Sequence, residues 1–292
     1  MYYRYRIQRE IEKLDPVKDH IQIVKMVAYQ DMRWDSFRAL EFALFRTFAV
    51  PTIGRLLGRT HEFTKRTQKR YDDTDLILGE IIEDGYDSPR GKAALERLNK
   101  IHGMFNISNE DFIYVLTTFV VEPYKWVERF GYRGMTMKEK IATHKFWYEV
   151  GKRMHIKDIP ESFEGMVKFG EEYEKEYFGY SKGGHEVAVA TESLFLGWYL
   201  PKALHGIGRP FVRAIMDEPL LEALQLERPS GFVRGLTNGL MQLRRKLLLL
   251  LSPKRTFGYR TKEFHPTYPN GYTTSELGPD RMKHMERISS NK

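Results

Sequence analysis

Apolar residues recur along most of this chain at intervals of three and four, the repeat of a buried helix face, and no convincing run alternates as a half-buried strand would. Asp15 at a cap and Pro16 at a first helical position open a predicted helix over "DPVKDHIQIVKMVAYQ". "WDSFRALEFALFRTFAV" follows as an apolar helix that Pro51 ends, then a short helix, a basic stretch and a second helix reaching Gly85. Ser88 and Pro89 form a strong start signal for the next helix, and Ser108 starts another whose Glu110 and Asp111 complement the N-terminal dipole. Pro123 inside "VVEPYKW" predicts a kink or break in that helix. Thr136 and Glu139 have the spacing of a capping box. Further helices are expected over 162–178, 186–199, 206–216, 219–225 and 230–251. The pattern predicts one all-α domain over 1–252 and an irregular C-terminal tail over 253–292, either wrapped on the surface or partly disordered.

Composition narrows the chemistry more than the fold. The 292 residues, 41% of them hydrophobic, suffice for a large core, and there is no cysteine. That excludes disulfides, iron–sulfur clusters, thiolate-ligated or covalent c-type haem, and cysteine zinc sites. The net charge of +8 is spread among interspersed acids, as in "EEYEKEY", and no nucleic-acid-binding motif accompanies it. No nucleic-acid partner is expected. The N-terminus lacks the apolar stretch of a signal peptide, and no segment approaches the ~20 apolar residues that span a bilayer. "LMQLRRKLLLLL" (240–251) either lies in a membrane interface or is a buried helix with a basic turn reaching solvent. A cytoplasmic or peripherally membrane-associated protein is the expectation.

Candidate chemistry centres on "RLNKIHGMFNISNED". His102 shares one helix side with Leu95, Leu98 and Phe105, where its ring nitrogens need partners. It is either a hydrogen-bonded core residue or a ligand. "RYDDT" places Arg70 and Thr74 one turn apart, with Asp72 and Asp73 between them. This is either an acid-rich first helical turn or a polar cluster facing a pocket, with Arg70 able to bind an anion. His61–Glu62 and His185 lack the second histidine of a metalloprotease helix, and no Glu-x-x-His pair suggests a di-iron bundle. Glu122 is read as a buried carboxylate beside Pro123, serving the backbone or facing the pocket. No nucleophile elbow, Walker loop or dinucleotide fingerprint is present.

"RYDDT", "ALERLNKIHGMFNISNEDFIYVLTTFVVEPYKWVERFGYRGMT" and "FWYEVGKRMHI", in that order, resemble the oxygenase family of the fungal enzyme from mycophenolic-acid biosynthesis, related to the latex-clearing rubber oxygenase. The resemblance runs from about residue 30 to 225, and the closing "PNGYTTSELGP" fits as well. It implies a globin-like helical core, non-covalent b-type haem, dioxygen as co-substrate, and oxidative cleavage of a C=C bond in an isoprenoid-like, apolar small molecule. Carried over by motif, His102 is the axial iron ligand, and Arg70 and Thr74 line the haem pocket. Asp73 stands where the rubber oxygenase has a lysine that can occupy the distal side of the iron. Glu62 is the nearest counterpart of a proposed catalytic base, at a different spacing. His61 aligns with a histidine common in bacterial relatives and is a second candidate near the iron. The alternative is a helical protein that binds haem or lipid without turnover.

Overall fold

The computed structural model describes residues 5–250, 258–280 and 282, and contains no strand among them. Its helices are α1 (Arg6–Glu12), α2 (His20–Lys25), α3 (Arg33–Phe48), α4 (Pro51–Thr60), α5 (Glu62–Lys65), α6 (Thr67–Asp84), α7 (Pro89–His102), α8 (Asn109–Phe130), α9 (Met137–Arg153), α10 (Phe163–Tyr177), α11 (Lys182–Gly197), α12 (His205–Arg213), α13 (Glu218–Ala223) and α14 (Gly231–Leu250). The all-α expectation holds.

Helix starts follow the side chains that can satisfy free N–H groups. Ser88, Ser108, Ser162 and Ser181 each accept a hydrogen bond from the backbone N–H three residues on. Thr136 and Glu139 close the expected capping box. Asp15 caps only a turn, accepting from Val17 and Lys18 N–H, and α2 begins at His20. A π-helical turn, Met26–Asp31, then joins α2 to α3.

The expected break at Pro123 does not occur, because α8 runs unbroken from Asn109 to Phe130. A proline inside a helix costs about 3 kcal/mol in isolation. Burial of Leu116, Val120, Val121, Trp126 and Val127 on either side of it offsets that cost. α8 packs against α3, α9 and α10, so it forms the centre of the fold. The main core joins its first half to Leu76, Ile77 and Ile81 of α6, Leu95 of α7 and Phe146 and Trp147 of α9.

α4 and α11 meet backbone to backbone. A Cβ on Gly58 would lie 2.6 Å from Gly183 Cα, and one on Gly183 would lie 2.5 Å from Gly54 O. No side chain larger than hydrogen fits at this crossing, and it fixes one wall of the cavity described below.

The tail is irregular yet tightly held over residues 258–280. It runs along a row of α6 carboxylates. Asp72 accepts from Thr267 N and Oγ1, and Asp73 accepts from Tyr268 Oη. Asp75 pairs with Arg260 and His265, Glu80 accepts from Thr274, and Glu83 accepts from Thr261. Leu277 is fully buried, and its carbonyl accepts from Arg97 Nε at 2.6 Å. These residues form a strap across α6 and α7. The remaining positions of the 253–292 tail, and Leu251 of the 240–251 stretch, lie outside the described residues apart from Met282.

Candidate functional site

A cavity of about 560 Å³ opens between α3, α4, α6, α7 and α8. Phe48, Ile53, Leu56 and Phe63 form part of its wall on one side of the chain order, and Leu98, Phe112, Phe119 and Trp147 another part. Such a space suits a large, mostly apolar ligand held by a few polar groups. Gly278 and Pro279 of the strap also line it.

His102 is the last residue of α7, and among the described lining residues it is the single imidazole. Phe112 packs edge-on against its ring, with centroids 5.3 Å apart. Its Nδ1 is buried with no hydrogen-bond partner among the described residues. The hydrogen-bonded core histidine is therefore not what the fold builds. Burial, reinforced by the Arg70 charge, pushes the imidazole pKa down to about 4. The helix C-terminus would favour the cation, so desolvation outweighs the dipole here. A neutral imidazole with a free lone pair, facing an apolar cavity, has the form that coordinates a metal.

Arg70 and Thr74 share the cavity wall, as their one-turn spacing on α6 requires. The guanidinium donates to Thr74 Oγ1, which itself donates to the Arg70 carbonyl at 2.9 Å. Phe63 lies beneath the guanidinium, 5.0 Å from ring centroid to Cζ. Among the described residues Arg70 has no ion pair. Burial lowers its pKa, while the charges of Asp73 and Glu62 act to raise it. A desolvated, oriented cation without a paired carboxylate fits an anionic group of a ligand.

Asp73 and Glu62 also line the cavity, but both are engaged. One Asp73 oxygen accepts from Lys69 Nζ at 2.7 Å and the other from Tyr268 Oη. Lys69 Nζ donates in turn to the carbonyl of Gly278 at 2.7 Å, which ties the wall to the strap. Both Glu62 oxygens accept from Arg66, at 3.0 and 2.6 Å.

His61 is not brought to the cavity. Its left-handed backbone, φ 57°, turns the chain between α4 and α5 and leaves it exposed. Glu122 is likewise absent from this cavity. It lies 3.4 Å from Arg46, which also binds Glu174 and Asp217, and burial raises its pKa.

Two basic residues went unnoticed in the sequence. Arg55 and Arg59, one turn apart on α4, line the cavity while remaining exposed, and neither has a carboxylate partner among the described residues. The signal was available, because they alternate with Ile53, Leu56 and Leu57 on an amphipathic helix without any acid.

A family model described as "ER-bound oxygenase mpaB/B'/Rubber oxygenase, catalytic domain" matches residues 35–246. The chain belongs to this family. It is 31% identical over 233 residues to the ER-bound oxygenase mpaB' of Penicillium brevicompactum, covering 74% of this chain and 55% of that protein. It is 30% identical over 225 residues to the ER-bound oxygenase mpaB of Penicillium roqueforti (strain FM164), covering 71% of this chain and 75% of the relative. The mpaB of P. brevicompactum is 34% identical over 122 residues, 40% of this chain and 31% of its own length. The chain thus spans about half the length of the first relative and three quarters of the second. The relatives it matches are named oxygenases. The matched segment contains every cavity-lining helix from α4 to α9, and His102, Arg70 and Thr74 lie within it.

Proposed function

We propose that this chain is a haem-dependent oxygenase acting with O2 on an apolar, isoprenoid-like substrate. The observation that carries the reading is the unpartnered, neutral imidazole of His102 in an apolar cavity. Among the described residues no three His, Asp or Glu side chains converge as a metal-binding group. A single imidazole donor would suit an iron whose remaining protein-independent ligands come from a porphyrin.

In this reading His102 would hold the iron, and Arg70, locked by Thr74 and Phe63, would pair with a propionate. Arg55 and Arg59 at the exposed part of the wall are the further cations available to such carboxylates. When bound, haem supplies the dioxygen chemistry, with oxidative cleavage of a C=C bond as the favoured outcome. The protein's share is to exclude water, orient the group and hold the substrate chain against Phe48, Phe112, Phe119 and Trp147. Asp73, at the position of a lysine in the rubber oxygenase, has its carboxylate engaged by Lys69 and Tyr268. Glu62 is poorly placed to accept a substrate proton while Arg66 holds both its oxygens.

Oxygen uptake by the full chain, loaded with haem and given a linear polyisoprenoid alkene, tests the proposal. Steady uptake with formation of carbonyl products is expected. One haem bound per chain without uptake would make it a binding protein, and failure to bind haem would overturn the reading altogether.

A further inference from the structure

α14 presents most of its apolar residues to the outside. Phe232, Leu236, Leu240, Leu243, Leu247 and Leu250 are each between 41% and 79% exposed. Their spacing of three and four residues places them on one stripe, about 80° wide on an ideal helix of 3.6 residues per turn. The inner face of α14 is separate. Thr237 is buried, Met241 and Leu248 pack on the core around Trp126 and Phe130, and Arg244 reaches Asp35 at 3.0 Å. The stripe therefore has no role in holding α14 to the protein, and it leaves leucine and phenylalanine in water over a 20-residue helix.

Charge separates the possible occupants. α14 contains Arg234, Arg244, Arg245 and Lys246 and no acidic residue. Arg234 and Arg244 are turned to Glu218 and Asp35 of the body. Lys246 is exposed, flanks the stripe and has no carboxylate partner among the described residues, whereas Arg245 is half-buried on the side of the helix away from it. A second copy docked through the same stripe would bring two acid-free basic helices together. An anionic bilayer surface instead offers hydrocarbon for the leucines and phosphate or carboxylate for the lysine. Among the described residues no helix is long and apolar enough to cross a membrane, so a helix lying in the interface plane is the geometry that uses both features.

We infer that α14 docks this domain on an anionic phospholipid surface, with the Phe232–Leu250 stripe inserted at the headgroup boundary and Lys246, which flanks the stripe, in contact with headgroups. The inference is independent of haem binding. Flotation of the full chain with phosphatidylcholine vesicles, with and without about one third phosphatidylserine, tests it. Binding is expected to strengthen with the anionic lipid. The Leu240→Asp/Leu247→Asp variant should bind at least about tenfold more weakly. Lys246→Gln should lose about fivefold, on the anionic vesicles only. Leu243→Trp should shift its fluorescence to the blue on binding, which reports insertion of this stripe while leaving the core untouched. Three results would overturn the inference: no flotation of the native chain, flotation unaffected by the leucine substitutions, or a soluble dimer that those substitutions dissociate.

Discussion

Gly58→Ala is expected to destabilise this protein even though the same change usually strengthens a helix. Replacing a helical glycine by alanine gains about 1 kcal/mol of propensity. At Gly58 the new methyl would stand 2.6 Å from Gly183 Cα, against an ordinary carbon–carbon contact of about 3.5–4.0 Å. The obstructing atom is backbone, so no side-chain rotation relieves it, and α4 and α11 must separate by about 1 Å. Overpacking of this kind costs about 1–3 kcal/mol, and the rigid partner places it at the upper end. A net loss of about 1–2 kcal/mol follows, or a fall of several degrees in Tm. Ile53, Leu56 and Leu57 move with α4 and loosen the cavity wall. Gly235→Ala is the control, because a Cβ there meets nothing within 4 Å. Differential scanning calorimetry of the two variants should show shifts of opposite sign. A Gly58→Ala melting temperature at or above that of the native chain would refute the close-packing argument.

Arg70→Gln should weaken haem binding about tenfold or more by removing a charge-assisted contact, read by haem titration. An unchanged affinity would place the propionates elsewhere. The strap should also respond to pH. Hydrogen bonding to Asp75 raises the His265 pKa, so its contribution is complete below the unfolded value of about 6.5 and fades as pH rises through the folded one. His265 and Arg260 lower the Asp75 pKa, so that contribution is present above about 3.9 and fades on acidification through the folded value. Residues 258–280 should exchange amide hydrogens most slowly at weakly acidic pH, after correction for intrinsic rates. Equal protection at pH values on either side of His265 titration, or no change in His265→Gln, would contradict this.

The helices were legible because their ends are written in local chemistry. Ser88, Ser108 and Thr136 satisfy nearby N–H groups whatever the rest of the chain does. Pro123 shows the limit of that reasoning. Its local cost was correctly read, but the packing that keeps α8 unbroken comes from α3, α9 and α10. Of the two readings of "RYDDT", the acid-rich first turn fails because α6 starts earlier, at Thr67, while Arg70, Asp73 and Thr74 line the cavity. Besides local partners, Asp72 and Asp73 bind Thr267 and Tyr268, about two hundred residues away in sequence. Helical spacing put Leu98, His102 and Phe105 on one side, and all three line the cavity. Whether His102 had a hydrogen-bond partner was a question only the folded chain could answer, and the unpartnered Nδ1 decides it.

The most direct test of the central claim is the absorption spectrum of haem-loaded native chain and His102→Gly, each recorded with and without added imidazole. The native protein should show the Soret band of a histidine-ligated haem. His102→Gly should lose that band and regain it when imidazole fills the vacated position. A variant that keeps the native spectrum without imidazole would show that His102 is not the ligand.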